Sequence, residues 1–364
     1  MDFQPIADHF GITGVIAHTE EIHSGNINRT FLVAVQQADT QKESVFQRIN
    51  TFVFKKPEEV MDNILKVTEH IKKKLLAEHG CYQRRVLSFL VGDDGKPYYY
   101  TAGNKHFWRV YEYVSHAVAY DQVIKPELFY EAGRSFGEFQ NWLSDFPAQS
   151  LAEIIPNFHN TPERYKTFRR SVEQDAVGRR AQVEDEIQFL LDREAECRIL
   201  TEKLRTGEIP YRVTHNDTKI NNILFDNQTD KAICVIDLDT VMPGTALYDF
   251  GDAVRYGAST ALEDERDLSK VSLNLELYEQ FTKGFLESMG DSMNEAEIAL
   301  LPQGAKIMTL ELATRFLADY LDGDIYFKTR SDDHNLVRAR TQIQLVRDME
   351  AKWDEIQKIT ARCN

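Results

Sequence analysis

The chain has 364 residues, 42% of them hydrophobic, enough to bury more than one sizeable core and to form two lobes. Its 43 basic and 58 acidic residues leave a net charge of −15, which argues against nucleic acid or an anionic membrane surface as a partner. Cys81, Cys197, Cys234 and Cys363 are scattered without a Cys-x-x-Cys pair, so free thiols are expected rather than disulfides or zinc. With no leader pattern at the start and no apolar run near the ~20 residues of a membrane span, a cytoplasmic protein is expected.

Residues 1–114 alternate as strands do. Phe31, Val33 and Val35 share one face, and Val45, Gln47 and Ile49 oppose Phe46 and Arg48. Ser24-Gly25-Asn26-Ile27-Asn28 connects two of these strands. Gly92-Asp-Asp-Gly95 marks a hairpin before Pro97 to Thr101, and Phe107 to Val114 reads as a further buried strand. A helix interrupts them, with Val60, Ile64, Val67, Ile71 and Leu75 at helical spacing. Beyond residue 114 the pattern turns helical. Phe129, Ala132, Phe136, Phe139 and Leu143 make an apolar stripe, and Thr161 to Leu204 reads as largely charged helix stopping near Gly207.

Within this helical half, Ile223 to Phe225 and Ala232 to Ile236 form a predicted hairpin across the turn Asn227 to Asp230. It is preceded by His215-Asn-Asp217-Thr-Lys219-Ile-Asn-Asn222 and followed by Asp237. Asp217 to Asn222 keeps the His-x-Asp-x-x-x-x-Asn spacing of protein kinases. Each member suits phosphoryl transfer. Asp217 would aim a hydroxyl and take its proton, and Lys219 would offset charge on the transferring group. Asn222 and Asp237 are hard oxygen donors suited to Mg²⁺ that also holds phosphates. His215 is expected to brace the loop. Asp249-Phe-Gly251 spells the kinase metal string, but Asp249 lies well past the hairpin. It reads as a helix N-cap, with Asp252 complementing the dipole.

The runs Thr214-His-Asn-Asp-Thr-Lys-Ile-Asn-Asn-Ile-Leu-Phe225, Val235-Ile-Asp-Leu-Asp239 and Tyr248-Asp-Phe-Gly-Asp-Ala-Val-Arg255 resemble the aminoglycoside phosphotransferase/choline kinase superfamily. The likeness is closest to bacterial N-acetylhexosamine 1-kinases and extends to Phe46-Gln-Arg-Ile-Asn50, Trp108-Arg-Val-Tyr-Glu-Tyr-Val114, Phe158-His-Asn-Thr-Pro162 and the helix Leu310 to Leu321. It implies an α+β, protein-kinase-like two-lobe fold. Residues 1–114 would form a small β-rich nucleotide-binding lobe, and 115–364 a larger, mostly helical lobe holding the catalytic and acceptor sites.

It also implies an ATP- and Mg²⁺-dependent kinase acting on a small sugar, most naturally the anomeric C1 hydroxyl of N-acetylglucosamine or N-acetylgalactosamine. Kinases for choline, homoserine or aminoglycosides are the alternative, and a non-catalytic binding module is a further one. In the small lobe, Gly25 would cover the phosphates, Arg48 would supply the cation of its strand, and Tyr113 and Val114 would meet the adenine. Asn26 is a candidate to reach the acceptor. Asp239 would lie on the same side of its strand as Asp237, binding sugar hydroxyls or, as the rival role, a second metal. Arg315, inward on an apolar helix, needs a polar partner. The resemblance makes Arg315 and Tyr326 substrate-binding candidates, and His159 a residue of the cleft wall.

Overall fold

Strand alternation in the first third of the chain produces one antiparallel sheet. Helix α1 (Gln4–His9) precedes β1 (Val15–Ile22), β2 (Arg29–Gln37) and β3 (Thr40–Ile49); α2 (Pro57–His79), β4 (Tyr99–Thr101) and β5 (His106–Glu112) follow. The strand order is β1-β2-β3-β5-β4. This computed structural model describes every residue except 24–26, 39, 102 and 104. Gly25 and Asn26, expected to serve phosphate and acceptor, lie outside the described residues.

Register decides what each face of the sheet meets, because side chains paired across strands share a face. Phe31, Phe46 and Val110 lie in line, and so do Thr30, Gln47 and Arg109. The first set joins Val33, Val35, Trp108 and, from α1, Phe3 and Ile6 in a core on the outer side of the sheet. The second set faces α2 and the larger lobe. Helix α2 buries the predicted stripe Val60, Ile64, Val67, Ile71 and Leu75, and stops at Gly80, whose φ of 70° is left-handed. Its Asn63 amide donates to the carbonyls of Ala152 and Val241 at 2.8 and 2.9 Å, tying the small lobe to the loop beyond the catalytic hairpin.

The second lobe begins with β6 (Ala117–Val118), which pairs with β8 (Ile223–Asp226), itself paired with β9 (Ala232–Val235). A second ribbon joins β7 (Arg212–Thr214) to β10 (Met242–Gly244). Around them pack α3 (Pro126–Trp142), α7 (Ala246–Gly257), α8 (Leu275–Met289), α9 (Glu295–Ala299), α10 (Leu301–Asp322), α11 (His334–Ala351) and α12 (Trp353–Cys363). The charged run expected as largely helix is so, divided into α4 (Thr161–Gln174), α5 (Glu184–Leu191) and α6 (Ile199–Thr206), with Gly207 capping the last. Asp175 and Gly178, at φ 41° and 70°, turn the chain. The break lets Tyr165, Phe168, Ile187 and Leu190 meet Leu310, Leu317 and Ile343 in a separate core, which one straight helix would not reach.

Helices α3 and α8 touch backbone to backbone. A Cβ on Gly133 would lie 2.2 Å from the Phe281 carbonyl oxygen, and one on Gly284 would lie 2.2 Å from that of Tyr130. Gly133→Val should therefore cost about 1–3 kcal/mol or more of stability through overpacking, read as a lowered urea midpoint with an unchanged slope.

Candidate active site

The catalytic loop runs from β7 to β8, and its backbone is held from one side by α7. Asp249 accepts the N–H of His215 and of Asn216 at 2.9 and 2.8 Å, and the Gln140 amide at 2.6 Å. Thr218 donates its N–H to Asp252 at 3.1 Å. Asp249 is thus structural, as expected, but not as an N-cap: Thr245 caps α7, and Asp249 sits in its first turn. Burial pushes the Asp249 carboxyl up, while His215 and the donated N–H groups pull against it. His215 braces the loop as anticipated, with Nε2 2.8 Å from the Ile236 carbonyl. Asn216 has φ 66°, and its amide donates to the Thr240 carbonyl at 2.7 Å.

This frame gathers the motif residues. Asp217 Oδ1 lies 2.8 Å from Lys219 Nζ, and Asn222 Nδ2 donates to the other carboxylate oxygen at 3.0 Å and to the Asp217 carbonyl at 2.7 Å. With its nitrogen committed to Asp217, the Asn222 amide turns its oxygen the other way. Burial raises the Asp217 carboxyl, but the Lys219 ammonium, His215 and the Asn222 amide outweigh it and hold the group below the usual carboxylate range. Asp217 in turn raises Lys219 above its ordinary value.

Asp237 follows β9, whose last pairing ends with the Ile236 N–H on the Asn222 carbonyl at 2.9 Å. The hairpin therefore delivers Asp237 beside Asn222. Asp237 has φ 57°, a costly conformation for a residue with a side chain. Its carboxylate has no hydrogen-bond or ion-pair partner among the described residues. The tip is open to solvent, yet it lies on the floor of the cleft. Surrounding protein, then Asp239 and Asp217, raise it to about 7 against the pull of Arg109 and Lys219. An unpartnered carboxylate beside a neutral amide oxygen fits a divalent cation that keeps other ligands. No group of three or more His, Cys, Asp or Glu side chains forms a metal cage among the described residues.

Asp239 departs from expectation. Strand alternation ends at Val235, and Leu238–Thr240 is a 3-10 turn, so Asp239 does not share a strand side with Asp237. It is 3% exposed. Arg109 lies 2.5 Å from Oδ1, and the Asn28 amide donates to Oδ2 at 2.5 Å. Two small-lobe side chains thus lie against the two oxygens, Oδ2 accepting a hydrogen bond and Oδ1 held by charge alone among the described residues.

Arg48 is also misplaced by the sequence reading. It shares the outer face with Phe46 and Trp108, and its charge bears on Glu21 near the β1–β2 turn. The inward position on β3 belongs to Gln47, whose amide oxygen accepts Arg109 Nε and Nη2 at 2.8 and 2.6 Å. The inward cation is thus Arg109, on the next strand. Its one sequence signal was a charge inside the otherwise apolar run Phe107 to Val110. Tyr113 and Val114 are half-buried just past β5, where the chain leaves the small sheet.

On the acceptor side, Arg315 of α10 stacks its guanidinium 5.5, 5.9 and 5.5 Å from the ring centres of Phe158, Tyr326 and Phe327. Buried Glu311 holds His159 Nδ1 and the Thr161 hydroxyl at 2.9 Å each, and His159 Nε2 lies 3.4 Å from the Asn216 carbonyl. A polar chain therefore links this wall to the catalytic loop. The Asn160 side chain caps α4. Tyr326 is 69% exposed, on a loop fixed by Asp319, which accepts the N–H groups of Ile325, Tyr326 and Phe327 at 2.8–2.9 Å. A cavity of about 270 Å³ opens nearby, lined in part by Phe158, His159, Asn216, Met242, Gly244 and Tyr248. Glu311 and Asn216 went unnoticed in the sequence, since neither sits in a spacing that carries chemistry by itself.

A small sheet above a helical lobe, with the loop and hairpin at their junction, defines a protein-kinase-like phosphotransferase. The chain belongs to the phosphotransferase enzyme family, whose model matches residues 18–280. Among solved structures it is similar to a microcompartment-associated aminopropanol kinase, at 17% identity over 98% of this chain and 99% of that one, with a TM-score of 0.63. It is also similar to an aminoglycoside phosphotransferase from Alicyclobacillus acidocaldarius, at 12% identity over 100% and 97%, TM-score 0.64. A spectinomycin phosphotransferase in complex with ADP and spectinomycin matches at 13% identity over 99% and 97%, TM-score 0.56. At these identities the likeness concerns the fold.

If Asp249 serves the loop and not the metal, Asp249→Ala should lower the unfolding midpoint, at a cost of about 1–3 kcal/mol for the unpaired N–H groups. Thermal scans with and without Mg²⁺ should show the same loss.

Proposed function

We propose that the protein transfers the γ-phosphoryl group of ATP, with Mg²⁺, to a hydroxyl of a small sugar. The anomeric C1 hydroxyl of N-acetylglucosamine or N-acetylgalactosamine is the acceptor favoured by the sequence resemblance. The observation that carries the reading is the Asp217 carboxylate bracketed by Lys219 and Asn222, with unpartnered Asp237 delivered alongside. Family membership supports the reaction class.

In this reading Asp217 orients the acceptor hydroxyl, whose oxygen attacks the γ-phosphorus in line; its proton passes to Asp217 and ADP leaves. Lys219, now paired with Asp217, neutralises the transferring group. Asn222 and Asp237 would hold the Mg²⁺, which supplies charge neutralisation to the phosphates. Gly25, Tyr113 and Val114 would hold the nucleotide; the similar spectinomycin phosphotransferase is in complex with ADP.

Arg315 and Tyr326 form the acceptor wall, with Asn26 as a candidate from above. Arg164 sits close enough to Arg315 for the two charges to oppose each other. Paired guanidiniums disfavour a cationic acceptor such as choline or an aminoglycoside, and favour a neutral polyol. A cytoplasmic setting fits Cys81, Cys197, Cys234 and Cys363, all free, and no helix of the described residues is long and apolar enough to cross a membrane.

Release of ADP measured over a panel of hexosamines, choline, homoserine and aminoglycosides tests the acceptor; preference for any non-sugar overturns it. Asp217→Asn should lower turnover by about 10²–10⁴-fold while nucleotide binding persists. A protein that only binds would show no turnover to lose. Because a proton competes with metal at Asp237, the apparent Mg²⁺ affinity in the presence of ADP should weaken as pH falls through about 7, and Asp237→Asn should flatten that dependence.

A further inference from the structure

We infer that Arg109 is a positioning residue that ties the small lobe to the metal-binding turn, so that nucleotide and metal sites are set by one buried joint. This rests on the reading of Asp237 as a metal ligand. Arg109 lies on β5 and Asp239 beyond β9, and their side chains are 3% and 4% exposed. An ion pair so far from water, joining two lobes, fixes position because breaking it strands a buried charge.

The joint has more members than the pair. The Gln47 amide oxygen takes two guanidinium nitrogens, fixing the plane of Arg109, while Nη1 donates to Met61 Sδ on α2 at 3.8 Å and lies 2.5 Å from Asp239 Oδ1 as an ion pair. Arg109 is therefore fully engaged, and its service to the reaction goes through Asp239 rather than through direct contact with phosphate. Asn28 holds the other Asp239 oxygen and accepts the Asn50 N–H at 2.9 Å. Asn28 stands immediately before β2, at the base of the β1–β2 turn, and Asn50 immediately after β3. One carboxylate thus gathers β5, the end of β3 and the base of the β1–β2 turn.

That carboxylate is two residues from Asp237, which keeps φ 57° without a side-chain partner of its own. What fixes Asp237 is the anchoring on either side of it. The Ile236 N–H is on the Asn222 carbonyl, Leu238 is buried, and Asp239 is clamped by the small lobe. Moving Asn28 or β5 would move Asp239, and with it the direction of the Asp237 carboxylate. The expected consequence is coupling: Mg²⁺ and nucleotide each bind more tightly when the other is present, by way of this joint.

Calorimetric titration of the full-length protein with ADP, with and without Mg²⁺, tests this. The wild type should bind ADP more tightly with Mg²⁺. Arg109→Met should lose about tenfold or more of that enhancement, while ADP affinity without Mg²⁺ changes little. Arg109→Lys, which keeps the charge but not the Gln47 fork, should recover part of it. Asn28→Ala, which leaves the ion pair intact, should show a smaller loss in the same direction and serves if Arg109→Met does not fold. Enhancement at the wild-type level in either variant, or ADP binding weakened equally with and without Mg²⁺, overturns the inference. A wild type that shows no Mg²⁺ enhancement and no ATP consumption instead overturns the reading of Asp237 and the proposed function beneath it.

Discussion

The site depends on how the Asp249 carboxylate pairs the backbone of the catalytic loop. A loop that must expose Asp217 and Lys219 cannot spend its own N–H groups on regular structure, and buried N–H groups must be paired. Asp249 resolves this by accepting from His215 and Asn216, while Asp252 accepts from Thr218. Both come from the α7 helix, whose stripe packs on α10. The geometry of the loop is thereby inherited from the large-lobe core. A sequence string that looks like a metal site turns out to be the scaffold of the loop beside it.

Charge arrangement at the cleft follows from that scaffold. Asp217, Asp237 and Asp239 converge, and Lys219 and Arg109 answer them unequally. Asp217 and Asp239 each take one cation. Asp237 is left without one and is raised to about 7 by its surroundings. The same like charge that disfavours an ionised Asp237 would be relieved by a divalent cation there, as the proposed function requires. Arg164 and Arg315 oppose each other in charge, and buried Glu311 answers both.

Much of this was legible from residue order. The stripe of α2, the hairpin of β8 and β9, and the loop motif were readable because each depends on neighbours within a few positions. The motif residues come together in space because they are a local constellation: His215 to Asn222 is one loop, and Asp237 is one hairpin away. Failures came where an assumption of regularity met a break. Alternation places Asp239 on a strand that ends at Val235, and the breaks at Asp175 and Gly178 inside the largely helical run 161–204 carry no periodic signal. The inward cation was sought on β3, but side-chain parity there puts Arg48 outward, and β5 provides Arg109.

By itself, then, the sequence determined the two-lobe α+β plan and the phosphotransferase family, because short-range spacing, hydrophobic period and local motifs carry both. Tertiary structure alone decided which cation faces the carboxylates, that Asp239 joins the lobes, and that Asp249 holds the loop. Those outcomes depend on strand register and on contacts between residues more than thirty positions apart. No local pattern encodes such pairings, since a one-residue shift in parity reverses the face on which a side chain is presented.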